Sequence, residues 1–238
     1  MRLQARPGPV DLDPACTAVL VVDMQNAFGS PGGMFDRVGV PIGSIKDAVA
    51  PTRAAVDAAR QAGLKVIYLK MGFRADLSDL GTHGGAQEQF FAHMGIPDGV
   101  LTRDEWGTDI VAELTPEPDD TVVYKTRFSG FYDTELDDLL RAAGITHLIV
   151  TGCTTSICVE STIRDAFFRD YHCILLEDCT AETNRNNHEA TVLLVELGAV
   201  EGAEARLVDD RLALFRCQFV DDVGAPLLAG QDPVFHPA

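Results

Sequence analysis

The chain has 238 residues, enough for one sizeable core, and its 46% hydrophobic and 23% charged content is that of an ordinary globular domain. A formal net charge of −17 at pH 7 argues against a nucleic-acid or anionic-membrane binder, since either needs a basic patch. No long apolar run opens the chain, so neither a signal peptide nor a membrane span is expected. The six cysteines include no CxxC pair and no zinc spacing, which points to reduced thiols and a cytoplasmic setting.

In chain order, residues 18–22 predict a buried strand closed by Asp23. A helix is expected over 51–62, with Pro51 at its start and Gly63 just past its end. Strands follow at 64–69 and 121–124. Between them, 72–107 is Gly-rich and weakly patterned, the pattern of a lid or binding loop. A helix over 133–143 carries Leu136, Leu139 and Leu140 on one face and stops at Gly144. Then come a strand at 148–150, a helix at 157–169, a strand at 173–176, a helix at 187–197 and a sixth strand at 205–208. Apolar strands alternating with helices specify an α/β fold, a parallel doubly wound sheet with ligands at the carboxyl ends of its strands. One domain spans 1–238, with its core at about 16–210 and a Pro/Gly-rich C-terminal arm over 217–238.

Three reactive side chains fall at or just beyond the ends of separate strands: Asp23, Lys125 and Cys158. Cys158 is expected in the first turn of a helix, where unpaired N–H groups and the macrodipole lower a thiol below its free value of about 8.5. A thiolate hydrolase needs a base to take the thiol proton, here Asp23, and a cation beside it, here Lys125. Taken alone, an Asp after a strand also serves as a turn cap and a Lys at a strand end as a solvated charge.

Three motifs then decide between these readings: 21–26 (VVDMQN) with Gly32-Gly33, 125–131 (KTRFSGF), and 151–162 (TGCTTSICVEST) with Arg164-Asp165-Ala166. They occur in order across 18–208, and the chain resembles the isochorismatase-like cysteine hydrolases. That resemblance implies a three-layer α/β/α fold with a six-stranded, mainly parallel sheet of order 3-2-1-4-5-6. It implies an Asp23–Lys125–Cys158 triad, a non-proline cis peptide between Cys153 and Thr154, and an oxyanion hole made by the N–H groups of Thr154 and Cys158. It also favours a homodimer or homotetramer.

Within the family, 127–132 looks most like the ureidoacrylate, N-carbamoylsarcosine and biuret branch. The implied substrate is a small ureido, carbamoyl or amide compound. The alternatives are a nicotinamidase-like amidase acting on an aromatic amide and a non-catalytic small-molecule-binding subunit. Asn26, Phe28, Arg74 and Tyr132 are candidate substrate contacts: the first and third through bidentate polar bonds, the aromatics as walls. No cofactor is expected. The region 70–76 lacks the Asp/His cluster of metal-dependent nicotinamidases, and His83 and His93 lack ligand spacing, so no metal is expected either.

Overall fold

A run such as Thr17–Val22 is apolar at every position after the first, so it needs cover on both faces of a sheet. In the computed structural model, which describes residues 2–3, 9–81, 99–200 and 212–215, all six of its residues are buried. It forms β1 of a six-stranded sheet with β2 (Lys65–Met71), β3 (Thr121–Lys125), β4 (His147–Cys153), β5 (His172–Ala181) and β6 (Leu212–Phe215). Every pairing is parallel and the spatial order is β3-β2-β1-β4-β5-β6, the order implied by the resemblance. The order reverses between β1 and β4, and the crevice at their carboxyl ends is where such sheets take ligands. A two-residue antiparallel ribbon, Arg2–Leu3 with Val10–Asp11, stands apart from the sheet.

The helices are α1 (Asn26–Gly29), α2 (Met34–Arg37), α3 (Gly43–Gln61), α4 (Leu136–Ala142), α5 (Glu160–Phe168) and α6 (Arg185–Val200). α3 differs from expectation: it begins at Gly43, and Pro51 lies inside it. The missing Pro N–H costs about 3 kcal/mol, but burying each large aliphatic side chain returns roughly 1.5–3 kcal/mol. The buried stripe Ile45, Ala48, Thr52, Ala55, Val56 and Ala59 runs through the proline without a break.

α4 starts at Leu136 because Asp133 has φ +53° and the Thr134 hydroxyl accepts the Leu136 N–H while donating to Gly130 O. The predicted helix over 157–169 divides in two. Thr155–Val159 is a π-helical turn, in which Ile157 N and Val159 N both donate to Thr154 O, and α5 follows it. β-Branched Thr154, Thr155, Ile157 and Val159 make this a poor start for a regular α-helix. The strand expected at 205–208 lies outside the described residues, and the sixth strand of the sheet is Leu212–Phe215. The arm over 217–238 and the middle of the predicted lid, 82–98, also lie outside them. No helix among the described residues is long and apolar enough to cross a membrane.

Candidate active site

At the end of β1 the Asp23 N–H still donates to Leu69 O of β2 (2.8 Å), and the chain then turns sharply at φ +52°. This leaves the Asp23 carboxylate buried over the sheet's edge. Lys125, the last residue of β3, is two strands away, a distance of about 9–10 Å that a four-carbon stem can cross over the end of β2. Its Nζ is fully buried, 2.7 Å from Asp23 Oδ2 and 3.2 Å from Arg127 O.

From the other side, β4 delivers the thiols. Gly152 (φ +113°) lies so close to β1 that a Cβ there would stand 2.0 Å from Val22 O, so only glycine lets β4 press against the end of β1. Next to it, the Cys153 thiol donates to Asp23 O (3.2 Å), and the Cys153–Thr154 peptide is cis. The π-helical turn then returns Cys158 to the cavity that Asp23 borders, within electrostatic reach of the Asp23–Lys125 pair.

Burial dominates the electrostatics here. It pushes Asp23 above the ordinary carboxylate value, and the neighbouring Lys125 only partly opposes it. Burial pulls Lys125 down, but the facing Asp23 and Cys158 outweigh it and the ammonium is held above its ordinary value. Cys158 is pushed up by burial, with Lys125 pulling the other way. This is opposite to the lowering expected of a thiol at a helix N-terminus. Cys158 is only 7% exposed and faces the Asp23 carboxylate, and both disfavour the charged thiolate. Burial likewise raises Cys153 well above the ordinary thiol value.

Asp23, Cys153, Thr154 and Cys158 face a cavity of about 40 Å³ whose remaining walls are apolar: Phe28, Phe35, Phe128, Met34, Met71 and Ile157. Phe28 and Phe35 pack with ring centroids 5.0 Å apart. A larger groove of about 770 Å³ runs along α3 between Pro31 and Val111 and includes none of these residues. The structure thus brings Asp23, Lys125, Cys158, Thr154 and Phe28 together. Asn26, Arg74 and Tyr132 are not in the cavity wall among the described residues. Asn26 uses its amide within the loop, donating to Trp106 O (3.0 Å) and accepting from Ser30 Oγ (2.7 Å). Arg74 is exposed, and its N–H donates to Asp79 Oδ1. Tyr132 is 56% exposed, with the Arg127 guanidinium 5.6 Å from its ring centroid.

Sequence reasoning missed two buried polar residues that shape the site. Gln25 is fully buried; its Nε2 donates to Met71 O and Gly107 O (3.0 and 3.2 Å) and its Oε1 accepts the Met71 N–H (2.8 Å). Its only sequence signal was a polar residue following a buried strand. Glu182, just past β5, binds Ser156 through both its N–H and its hydroxyl, and nothing in its local sequence marks it. No group of three or more His, Cys, Asp or Glu among the described residues could hold a metal ion. His83 and His93 lie outside them.

A family model described as the isochorismatase domain matches residues 17–203. The chain belongs to the isochorismatase family. Within that family it is 41% identical over 185 residues to ureidoacrylate amidohydrolase RutB of Caulobacter segnis, covering 75% of this chain and 77% of that protein. It is 41% identical over 204 residues to the protein of the same name from Agrobacterium fabrum, covering 82% and 90%. Among solved isochorismatase-like structures, a cysteine hydrolase from Pseudomonas syringae pv. phaseolicola superposes with a TM-score of 0.67 at 33% identity, covering 83% of this chain and 88% of that one. N-carbamoylsarcosine amidase from Thermoplasma acidophilum gives 0.58 at 28% identity, covering 76% and 92%.

Proposed function

We propose that the chain is a cysteine-dependent amidohydrolase that cleaves a C–N bond of a small ureido or carbamoyl compound through a thioester. The reading is carried by one observation: Asp23 and Cys158 border one small cavity, and the buried Lys125 lies 2.7 Å from the Asp23 carboxylate. The relatives named ureidoacrylate amidohydrolase, and the N-carbamoylsarcosine amidase neighbour, support the substrate class.

In the proposed reaction Asp23 takes the Cys158 proton as Sγ attacks the carbonyl carbon. Burial raises the proton affinity of the Asp23 carboxylate, which makes it a stronger acceptor for the thiol proton than a carboxylate in water. The N–H groups of Thr154 and Cys158 hold the oxyanion, and Lys125 balances the charge passing between Asp23 and Sγ. Collapse breaks the C–N bond, and the leaving nitrogen takes its proton from Asp23. Water, deprotonated by Asp23, then attacks the thioester, and the C–S bond breaks with the proton returning to sulfur. A carbamoyl group transferred in this way leaves as a carbamate that decomposes to carbon dioxide and ammonia. Phe28, Phe35 and Phe128 would flank a planar substrate.

The test is ammonia release from a panel of ureides, biuret, N-carbamoyl amino acids and nicotinamide by the unaltered protein and by Cys158→Ala. Turnover of ureides is expected, together with complete loss in the variant at an unchanged melting temperature. Near-normal activity in Cys158→Ala would remove the nucleophile. Turnover confined to nicotinamide would favour the aromatic-amide reading that the phenyl walls also suit. A homodimer or homotetramer in the cytoplasm belongs to the same proposal, and light scattering should give two or four times the 25.7 kDa chain mass.

A further inference from the structure

The turn between Thr154 and Cys158 is held from outside by a carboxylate the reaction does not use. Glu182 is 6% exposed and follows the last residue of β5. Its Oε2 accepts the Ser156 N–H (3.0 Å) and the Ser156 hydroxyl (2.6 Å). Its Oε1 accepts the Thr183 N–H (2.8 Å) and the Thr183 hydroxyl (3.2 Å). Its own carbonyl accepts from Ser44 Oγ of α3 (2.5 Å). Four donors on one buried carboxylate make a rigid node joining β5, α3 and the π-helical turn. A second tie comes from α6, where His188 Nδ1 lies 2.8 Å from Thr155 Oγ1.

The N–H groups of Ile157 and Val159 are used on Thr154 O, and that of Ser156 on Glu182. None of these is one of the two amides that the proposed reaction needs at the oxyanion, and Ser156 sits midway between those two in the chain. A negative charge close to a developing oxyanion opposes catalysis by Coulomb repulsion. The contribution of Glu182 is therefore geometric.

We propose that Glu182 is a positioning residue for the oxyanion hole: by fastening Ser156 to the end of β5 it fixes the turn so that the Thr154 and Cys158 N–H groups converge on one point. The inference rests on reading the site as that of a cysteine hydrolase. It is tested with Glu182→Gln, which keeps the side-chain volume but turns one acceptor into a donor facing a donor. Two reactions at Cys158 separate hole from thiol. Iodoacetamide alkylates Sγ by displacing iodide and forms no oxyanion. A small aldehyde such as propanal adds the thiol across its carbonyl, forming the S–C bond and placing the proton on an oxygen that sits in the hole.

In Glu182→Gln the propanal dissociation constant, read by protection from iodoacetamide, is expected to rise at least about tenfold, while the alkylation rate stays unchanged and a cooperative native melt is kept at a lowered melting temperature. With a turned-over ureide, kcat is expected to fall about 10- to 100-fold with KM within about threefold. Unchanged aldehyde affinity, or an alkylation rate that falls in parallel with it, would overturn the proposal. If the Gln variant lacks a native melt, Glu182→Asp, which withdraws the acceptors by one methylene, is judged by the same split. Absence of turnover in the unaltered protein would sink the hydrolase reading, while the aldehyde comparison would still decide the role of Glu182.

Discussion

Asp23 and Lys125 form the kind of ion pair that a fold does not acquire for stability. Both side chains are taken almost wholly out of water, and desolvation of such a pair often cancels its attraction. Removing one partner is a different matter, because the other charge then stays buried alone. Lys125→Met is expected to destabilise the protein by about 3–5 kcal/mol in urea unfolding, and adding Asp23→Asn is expected to restore part of that loss. The raised Asp23 pKa has a kinetic signature as well. Asp23 must be ionised to accept the thiol proton, so activity falls as pH drops through its folded-state value. Because that value lies above the ordinary 3.8, the acidic limb of a kcat/KM profile is expected above pH 3.8. A limb at or below 3.8 would contradict the assignment of Asp23 as the base.

At the scale of elements, the meeting of β1 and β4 is the joint on which the site depends. Gly152→Ala would drive a Cβ into Val22 O at a backbone φ of +113°, costing about 3 kcal/mol or more, measurable as a drop in melting temperature with loss of activity. Gly144→Ala is the control: it shares a positive φ (+68°) but meets open space, so about 1 kcal/mol is expected. The strands that meet here were legible in the sequence because a sheet covered on both faces requires unbroken apolar runs such as 18–22 and 148–150. The start of α3 was not, since Ile42 at its N-cap makes no side-chain capping bond and Pro51 looked like a beginning. The shift of the Cys158 thiol was misread for a different reason: local sequence shows a helix start, whereas burial beside Asp23 is a property of three distant segments. Phe35 and Glu182 escaped notice likewise, since each reaches the site only through tertiary packing.

For the whole molecule, a surplus of 17 negative charges sets a background of self-repulsion that folding must overcome. Salt screens it over about 8 Å at 0.15 M, so the melting temperature is expected to rise by several degrees between about 10 mM and about 150 mM NaCl. A flat or falling curve would mean that surface ion pairs such as Arg53–Asp57 and Arg185–Glu189 outweigh the net charge. The sheet order also explains why residues so far apart in sequence act at one place. Asp23 and Lys125 end parallel strands and the Cys158 turn leaves a third, so all come to one edge of the sheet.

Gln25 has a consequence for how such a protein can change over generations. One buried amide holds the chain where it leaves β2, at Met71, and where it returns, at Gly107. The span between those two knots can lengthen, shorten or turn over its sequence at a closure cost of only about 0.6 kcal/mol per doubling of length. Asp23, two residues from Gln25, keeps its place throughout. The segment between Met71 and Gly107 is thereby an exchangeable cassette, and its turnover leaves the Asp23–Lys125 pair where it stands.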